Sequence, residues 1–178
     1  MLRPKITRTL NNRWFHAAKL RFAYVSIPYI WQTMHLAPIH IDEDPTLALY
    51  ATPDCQALFE SYPAYYHETG YNPPWIGYFV FRDEGVVGVG GFVGAPQNGR
   101  VEIAYGTFKA YEGQGVASFA CQQLLAIARA TDLALTVTAK TAPEQNTSTK
   151  ILGRNGFVYA GVVQDHEIGD AWEWVYQG

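Results

Sequence analysis

Gly113 and Gly115 stand in the run Tyr111-Glu112-Gly113-Gln114-Gly115-Val116-Ala117. An apolar, strand-like run precedes them and a helix-like run follows. Glycine adopts the positive φ angles of a tight turn and lets a ligand approach the backbone closely. A turn that opens a helix leaves the first N–H groups of that helix unpaired. With the helix dipole behind them, those donors favour an anion such as phosphate or pyrophosphate. The competing reading is an ordinary strand-to-helix connection.

A second glycine-rich run, Gly88-Val89-Gly90-Gly91-Phe92-Val93-Gly94, lacks that chemistry. Val93 occupies the third glycine position of a dinucleotide turn, and a hairpin signal, Pro96-Gln97-Asn98-Gly99, follows in place of a helix. A strand whose glycines permit a bulge or close packing is expected. There is no Gly-Lys-Ser/Thr phosphate loop, so nucleotide hydrolysis has no support. No histidine pair or cysteine cluster has metal-ligand spacing, and no metal is expected. His67 and His166 could act as bases, but spacing suggests a partner for neither.

The elements that must position these residues follow from periodicity. Asn12 to His35 reads as helical with a break at Pro28, and Pro38 to Pro45 as a connector. Thr46 to Ala51 looks like a first strand. Thr52 suits an N-cap and Pro53 a first helical position, so a helix runs from Pro53 to about Tyr62. Tyr62 to Pro74 reads as an aromatic loop. Strands are expected at Trp75–Arg82, Val86–Val93 and Arg100–Thr107, forming an antiparallel meander. Val116, Ala120, Leu124 and Ala128 repeat every four residues, which predicts a buried stripe on a helix from about Gly115 to Ala130. A strand at Ala134–Ala139, a helix at Asn146–Asn155 closed by Gly156, and strands at Phe157–Val163 and Ala171–Tyr176 complete the chain. Trp172 and Trp174 share a face of the last strand, as core or interface.

The bulk composition sets limits. A chain of 178 residues fits one sizeable core, and 48% apolar against 16% charged residues makes it globular. No apolar run is long enough to cross a bilayer. The net charge of −3 argues against general nucleic-acid binding. Charge is uneven, because Arg3, Lys5, Arg8, Arg13, Lys19 and Arg21 all precede the first acid, Asp42. Residues 1–45 are therefore set apart as a helical N-terminal extension at the surface or in an oligomer contact, and 46–178 as the working domain. Cys55 and Cys121 make no disulfide framework, which favours a reducing, cytoplasmic location.

A later segment narrows the ligand. Thr141-Ala142-Pro143-Glu144-Gln145-Asn146-Thr147-Ser148-Thr149 leads into Lys150-Ile151-Leu152-Gly153-Arg154-Asn155-Gly156-Phe157. Together with the glycine turn it resembles the GNAT superfamily of acetyl-CoA-dependent N-acetyltransferases, closest to the RimJ/RimL-type branch. The resemblance spans roughly Thr46 to Tyr176. It implies an α/β (α+β) fold with a mixed, mostly antiparallel central sheet flanked by helices. It also implies that Gly113, Gln114, Gly115, Val116 and Ala117 bind the CoA pyrophosphate. Glu112 stands where the family usually has Arg or Gln. A carboxylate there would repel a pyrophosphate, so Glu112 is expected to point away, with weaker CoA affinity as the competing outcome.

The implied reaction is acetyl transfer to a primary amine by direct attack on the thioester. A lysine-like amine has a pKa of about 10, so a base must remove its proton. The resemblance puts the strand carrying Glu102 beside the thioester, which makes Glu102 the candidate base, against the reading of a solvent-facing strand carboxylate. Backbone N–H groups near Tyr105 and Thr107 would meet the carbonyl oxygen and the pantetheine amides. The position where many of these enzymes carry a tyrosine acid is Leu152. Ser148 or a water could protonate the thiolate, or Ser148 could bond the helix backbone or face solvent. Asn146 could touch the pantetheine arm, cap its helix, or do both. Tyr65, Tyr66, Tyr71 and Trp75 either line the amine site or form an aromatic cluster. A catalytically weak acyl-CoA-binding or sensing module is the alternative function. A homodimer could form through the last strands or the extension.

Overall fold

The computed structural model describes residues 33–178. One seven-stranded sheet runs through it in the order β1-β2-β3-β4-β5-β7-β6. The strands are β1 (Met34–Pro38), β2 (Gly77–Arg82), β3 (Gly85–Phe92), β4 (Arg100–Thr107), β5 (Thr136–Thr141), β6 (Phe157–Asp165) and β7 (Gly169–Tyr176). The helices are α1 (Pro53–Thr69), α2 (Val116–Thr131) and α3 (Thr147–Arg154). All neighbouring strands pair antiparallel except β4 and β5. A parallel pair needs a crossover, and α2 supplies it.

The predicted stripe on α2 is buried: Val116 is 1% exposed, and Ala120, Leu124 and Ala128 are 0% exposed. The glycines of β3 make that packing close. A Cβ on Gly88 would stand 2.6 Å from the Gly106 carbonyl oxygen and 2.9 Å from Val116 Cγ1. One on Gly90 would lie 3.2 Å from Leu124 Cδ1. Strand β3 also carries an irregularity, a register shift against β2 between Val80 and Phe81. The close packing expected of this glycine run is met, and the irregularity falls just before it, at Val87.

The N-terminal part of the domain differs from the sequence reading. The sheet begins at Met34, inside the 1–45 stretch set apart as an extension. The helix expected over Asn12–His35 lies almost wholly outside the described residues, and Met34 and His35 are in β1. Thr46–Ala51 is not a strand; Ala48–Tyr50 is a single 3-10 turn. Its carbonyls need no ladder, because Gln56 Nε2–H donates to the Pro45 and Tyr50 oxygens at 3.0 and 2.9 Å.

Helix α1 continues through Pro63 to Thr69, where a loop was expected from Tyr62. Proline forfeits one helical hydrogen bond. Tyr62, Tyr65 and Tyr66, at helical spacing, pack their rings 5.4–5.6 Å apart and offset that loss. Later elements agree with expectation to within two or three residues. Asn146 caps α3 in a reciprocal box with Thr149, and Gly156 follows the helix at φ 83°.

Candidate active site

Strands β4 and β5 run together only from Arg100–Thr136 to Glu102–Thr138. Beyond that point β5 pairs with β7 alone, and β4 continues with β3 on its other side. The two strands part, and among the described residues the edge of β4 from Ala104 to Thr107 has no ladder partner on the β5 side. Unpaired backbone groups of this kind must find another partner, such as a ligand's amides.

A cleft of about 550 Å³ opens along that edge. Tyr105, Gly106 and Thr107 form one wall, the glycine turn and the first residues of α2 a second, and Thr147, Ser148, Ile151 and Arg154 of α3 a third. Gly113 and Gly115 have φ of 73° and 84°, which only glycine adopts readily. A Cβ on either would meet nothing within 4 Å, so the backbone faces open space. The first helical bond of α2 runs from Phe119 N–H to Gly115 at 3.0 Å. The N–H groups of Val116, Ala117 and Ser118 precede that ladder and line the cleft.

Sequence reasoning missed Arg154. It lies on the α3 face shared with Thr147, Ser148 and Ile151, opposite buried Leu152 and Thr149. Among the described residues its guanidinium makes no ion pair, and it supplies the positive charge that the Gly turn lacks. The amphipathic spacing of α3 was the available signal. Glu112 does line the cleft instead of turning fully away, and its carboxylate is paired with Lys109 at 3.4 Å.

Gln114 is not part of the lining. Its amide donates to Ala110 O at 3.1 Å and accepts from Arg82 at 2.6 Å, bracing the turn. Asn146 likewise caps α3, accepting from Thr149 N–H at 3.1 Å. Leu152 is 1% exposed in the core, so no acid stands there.

A second cavity, of about 610 Å³, lies between α1 and the β3–β4 face. It shares Tyr105 and Gly106 with the first cleft. Of the four aromatic candidates, Tyr65 lines it, and its hydroxyl donates to the Phe92 carbonyl. Tyr66 instead donates to Ile39 O at 2.7 Å, Tyr71 bonds His40 Nδ1 at 3.1 Å, and Trp75 meets Phe92 edge-on. Those three belong to an aromatic cluster in which Tyr65 also packs, its ring 5.4 Å from that of Tyr66. Tyr62, Glu68 and Glu167 complete the cavity's distinctive lining. His67 and His166 line neither of these two cavities.

Glu102 shares a strand face with Ala104 and Gly106, which line this second cavity. It sits one pleat repeat from Ala104, about 7 Å along the strand. Its carboxylate is paired with Lys140 Nζ at 3.1 Å. Tyr105 carries an unusual feature. Among the described residues its buried hydroxyl has no hydrogen-bond partner, and burial pushes the phenol well above the usual tyrosine range.

A family model described as an acetyltransferase (GNAT) domain matches residues 17–158. The chain belongs to the GNAT acetyltransferase family. No curated protein sequence matches it. Solved structures share the fold. RimL, a ribosomal L7/L12 alpha-N-protein acetyltransferase in complex with coenzyme A, is 21% identical with a TM-score of 0.53, over 71% of this chain and 73% of that one. The ribosomal-protein-S5-alanine acetyltransferase of Vibrio fischeri is 15% identical with a TM-score of 0.51, over 79% of this chain and 76% of that one. Both are of the RimJ/RimL kind that the motifs resemble. At these identities the likeness carries the fold alone. The GNAT assignment agrees with the mixed, mostly antiparallel sheet and with an acetyltransferase activity.

Proposed function

We propose that this GNAT protein transfers the acetyl group of acetyl-CoA to a primary amine by direct attack on the thioester. One observation carries the reading: the two cavities meet at Tyr105 and Gly106, where β4 leaves β5. A thioester threaded along the free edge of β4 would be open to an amine from the α1 side. The amides of Gly113 to Ala117, with Ser118 and Arg154, fit the pyrophosphate. The edge of β4 from Tyr105 to Thr107 fits the pantetheine amides and the carbonyl oxygen.

In the reaction the amine nitrogen bonds to the carbonyl carbon, the carbon–sulfur bond breaks, and the sulfur leaves as thiolate. Glu102, acting through one water, takes the amine proton, and the thiolate gains a proton from water or Ser148. Glu68 and Glu167 stand in the lining of the acceptor cavity, and among the described residues that lining holds no lysine or arginine. Such a mouth favours an acceptor that arrives as an ammonium.

Cys55 and Cys121 are both buried free thiols, in keeping with a reducing, cytoplasmic setting. No helix among the described residues is long and apolar enough to cross a membrane. A homodimer through the last strands fits edge strand β6, which exposes Val158, Tyr159 and Val162.

The test is a thermal-shift titration with acetyl-CoA followed by thiol release across a panel: spermidine, kanamycin, amino-acid amides and short peptides with free N-termini. Binding with thiol release for at least one amine is expected. Binding without release for any amine would favour the acyl-CoA-binding or sensing module, which buried Leu152 motivates. No binding would overturn both.

A further inference from the structure

Lys140 on β5 has its ammonium between two carboxylates on different elements. Nζ lies 3.1 Å from Glu102 Oε2 on β4 and 3.0 Å from Asp165 Oδ2 at the end of β6. The three side chains are only 26%, 23% and 13% exposed, so water screens these contacts less than it screens surface pairs. The second oxygen of Asp165 accepts from Glu167 N–H at 3.0 Å and Ile168 N–H at 3.3 Å, which shapes the β6–β7 turn. Glu167 of that turn lines the acceptor cavity. One lysine thus joins the candidate base to the turn that contributes Glu167 to the acceptor cavity.

Ordering a lysine side chain carries an entropic cost that a single exposed ion pair does not recover. Two charged hydrogen bonds in a half-buried site do recover it. Partial burial opposes the ammonium, but the bonds to Asp165 and Glu102 outweigh it and hold Lys140 above the ordinary lysine range. The bonds from Lys140 and from the turn amide of Glu167 hold Asp165 below the ordinary carboxylate range. Another charged pair, Arg100–Glu173 at 2.7 Å, joins β4 to β7, and Glu68 and Glu167 line the acceptor cavity. Arg100 is committed to Glu173, so among the described residues Lys140 is the cation in contact with Glu102.

We propose that Lys140 is a positioning residue, which holds the Glu102 carboxylate in place on β4 and ties it to the β6–β7 turn. The catalytic meaning of this clamp rests on Glu102 serving as the proton acceptor. Without Lys140, Glu102 and Asp165 are left as two carboxylates with no cation between them, and their repulsion would loosen both from these positions.

The test compares wild type, Lys140→Met, Lys140→Arg and Glu102→Gln in two ways. Amide exchange at Glu167 and Ile168, which needs no substrate, should quicken in Lys140→Met and return toward wild type in Lys140→Arg, while acetyl-CoA binding stays within twofold. Should Lys140→Met fail to fold, Lys140→Gln must show the same quickening. Unchanged exchange overturns the clamp. The second readout is turnover with an amine from the panel that releases thiol: Lys140→Met should lower kcat with KM for acetyl-CoA unchanged, and Lys140→Arg should restore it. Turnover unaltered in Glu102→Gln overturns the base reading instead, while exchange at Glu167 and Ile168 tests the clamp separately.

Discussion

The guanidinium of Arg82 holds Gln114 twice: Nη1–H donates to its side-chain oxygen at 2.6 Å, and Nη2–H to its main-chain carbonyl at 3.2 Å. Arg82 ends β2 and Gln114 lies between the two glycines of the turn. A backbone made permissive by glycine is thereby given one shape. Glycine alone would leave the turn many shapes, and binding would have to order it each time.

Arg82→Ala should therefore weaken acetyl-CoA binding although Arg82 lines neither cavity. Losing pre-organisation by about 1 kcal/mol corresponds to about fivefold in Kd. Isothermal titration of acetyl-CoA reads this, and an unchanged Kd would show that the turn keeps its shape unaided.

Gly115→Val replaces a residue at φ 84°. A left-handed conformation costs an L-residue about 1–2 kcal/mol, more for a β-branched one. Its side chain would also project into the space before the amides of α2. A lower melting temperature and a lost acetyl-CoA shift are expected in one thermal-shift series.

Arg154→Gln removes the cation on the α3 wall of the cleft. Hydrogen bonds to charged groups contribute about 1.5–3 kcal/mol, so KM for acetyl-CoA should rise about tenfold or more while kcat holds. The salt dependence of KM should flatten as well. A fall in kcat at unchanged KM would place Arg154 elsewhere in the reaction.

Glu102→Gln should depress turnover most at neutral and acid pH. The deficit should shrink as pH approaches the amine's own pKa of about 10, where the acceptor is already neutral. Acetyl-CoA affinity should be spared. A constant deficit across the pH range would remove Glu102 from proton transfer.

Tyr105→Phe deletes a buried hydroxyl that has no partner among the described residues. Leaving such a group unsatisfied costs about 1–3 kcal/mol, so the variant should melt at the same temperature or higher. If it melts lower, the hydroxyl is bonded in solution, and Cys121 is the neighbour to examine: burial pushes that thiol up to about 12, so it stays protonated and able to donate.

The glycine turn, the stripe on α2 and the cap of α3 were legible in the sequence because each is a local property. Positive φ belongs to one residue, a buried stripe to one helix, and an N-cap to four consecutive positions. The family motifs are built from those same pieces, so they too could be read along the chain. The 3-10 turn at Ala48–Tyr50 and the passage of α1 through Pro63 were not legible, because side chains from elsewhere satisfy or outweigh the local preference.

Register was decisive at the site itself. Only the tertiary structure could show that β4 and β5 part after Glu102 and Thr138, opening the cleft. It turned Gln114 into a brace and sent Tyr66, Tyr71 and Trp75 to the aromatic cluster while Tyr65 kept the cavity. It also brought Lys140 to Glu102 and Asp165 from three different strands. The sequence determined which residues could bind an anion or take a proton. Which of them meet depends on how distant strands pair, and no local periodicity encodes that.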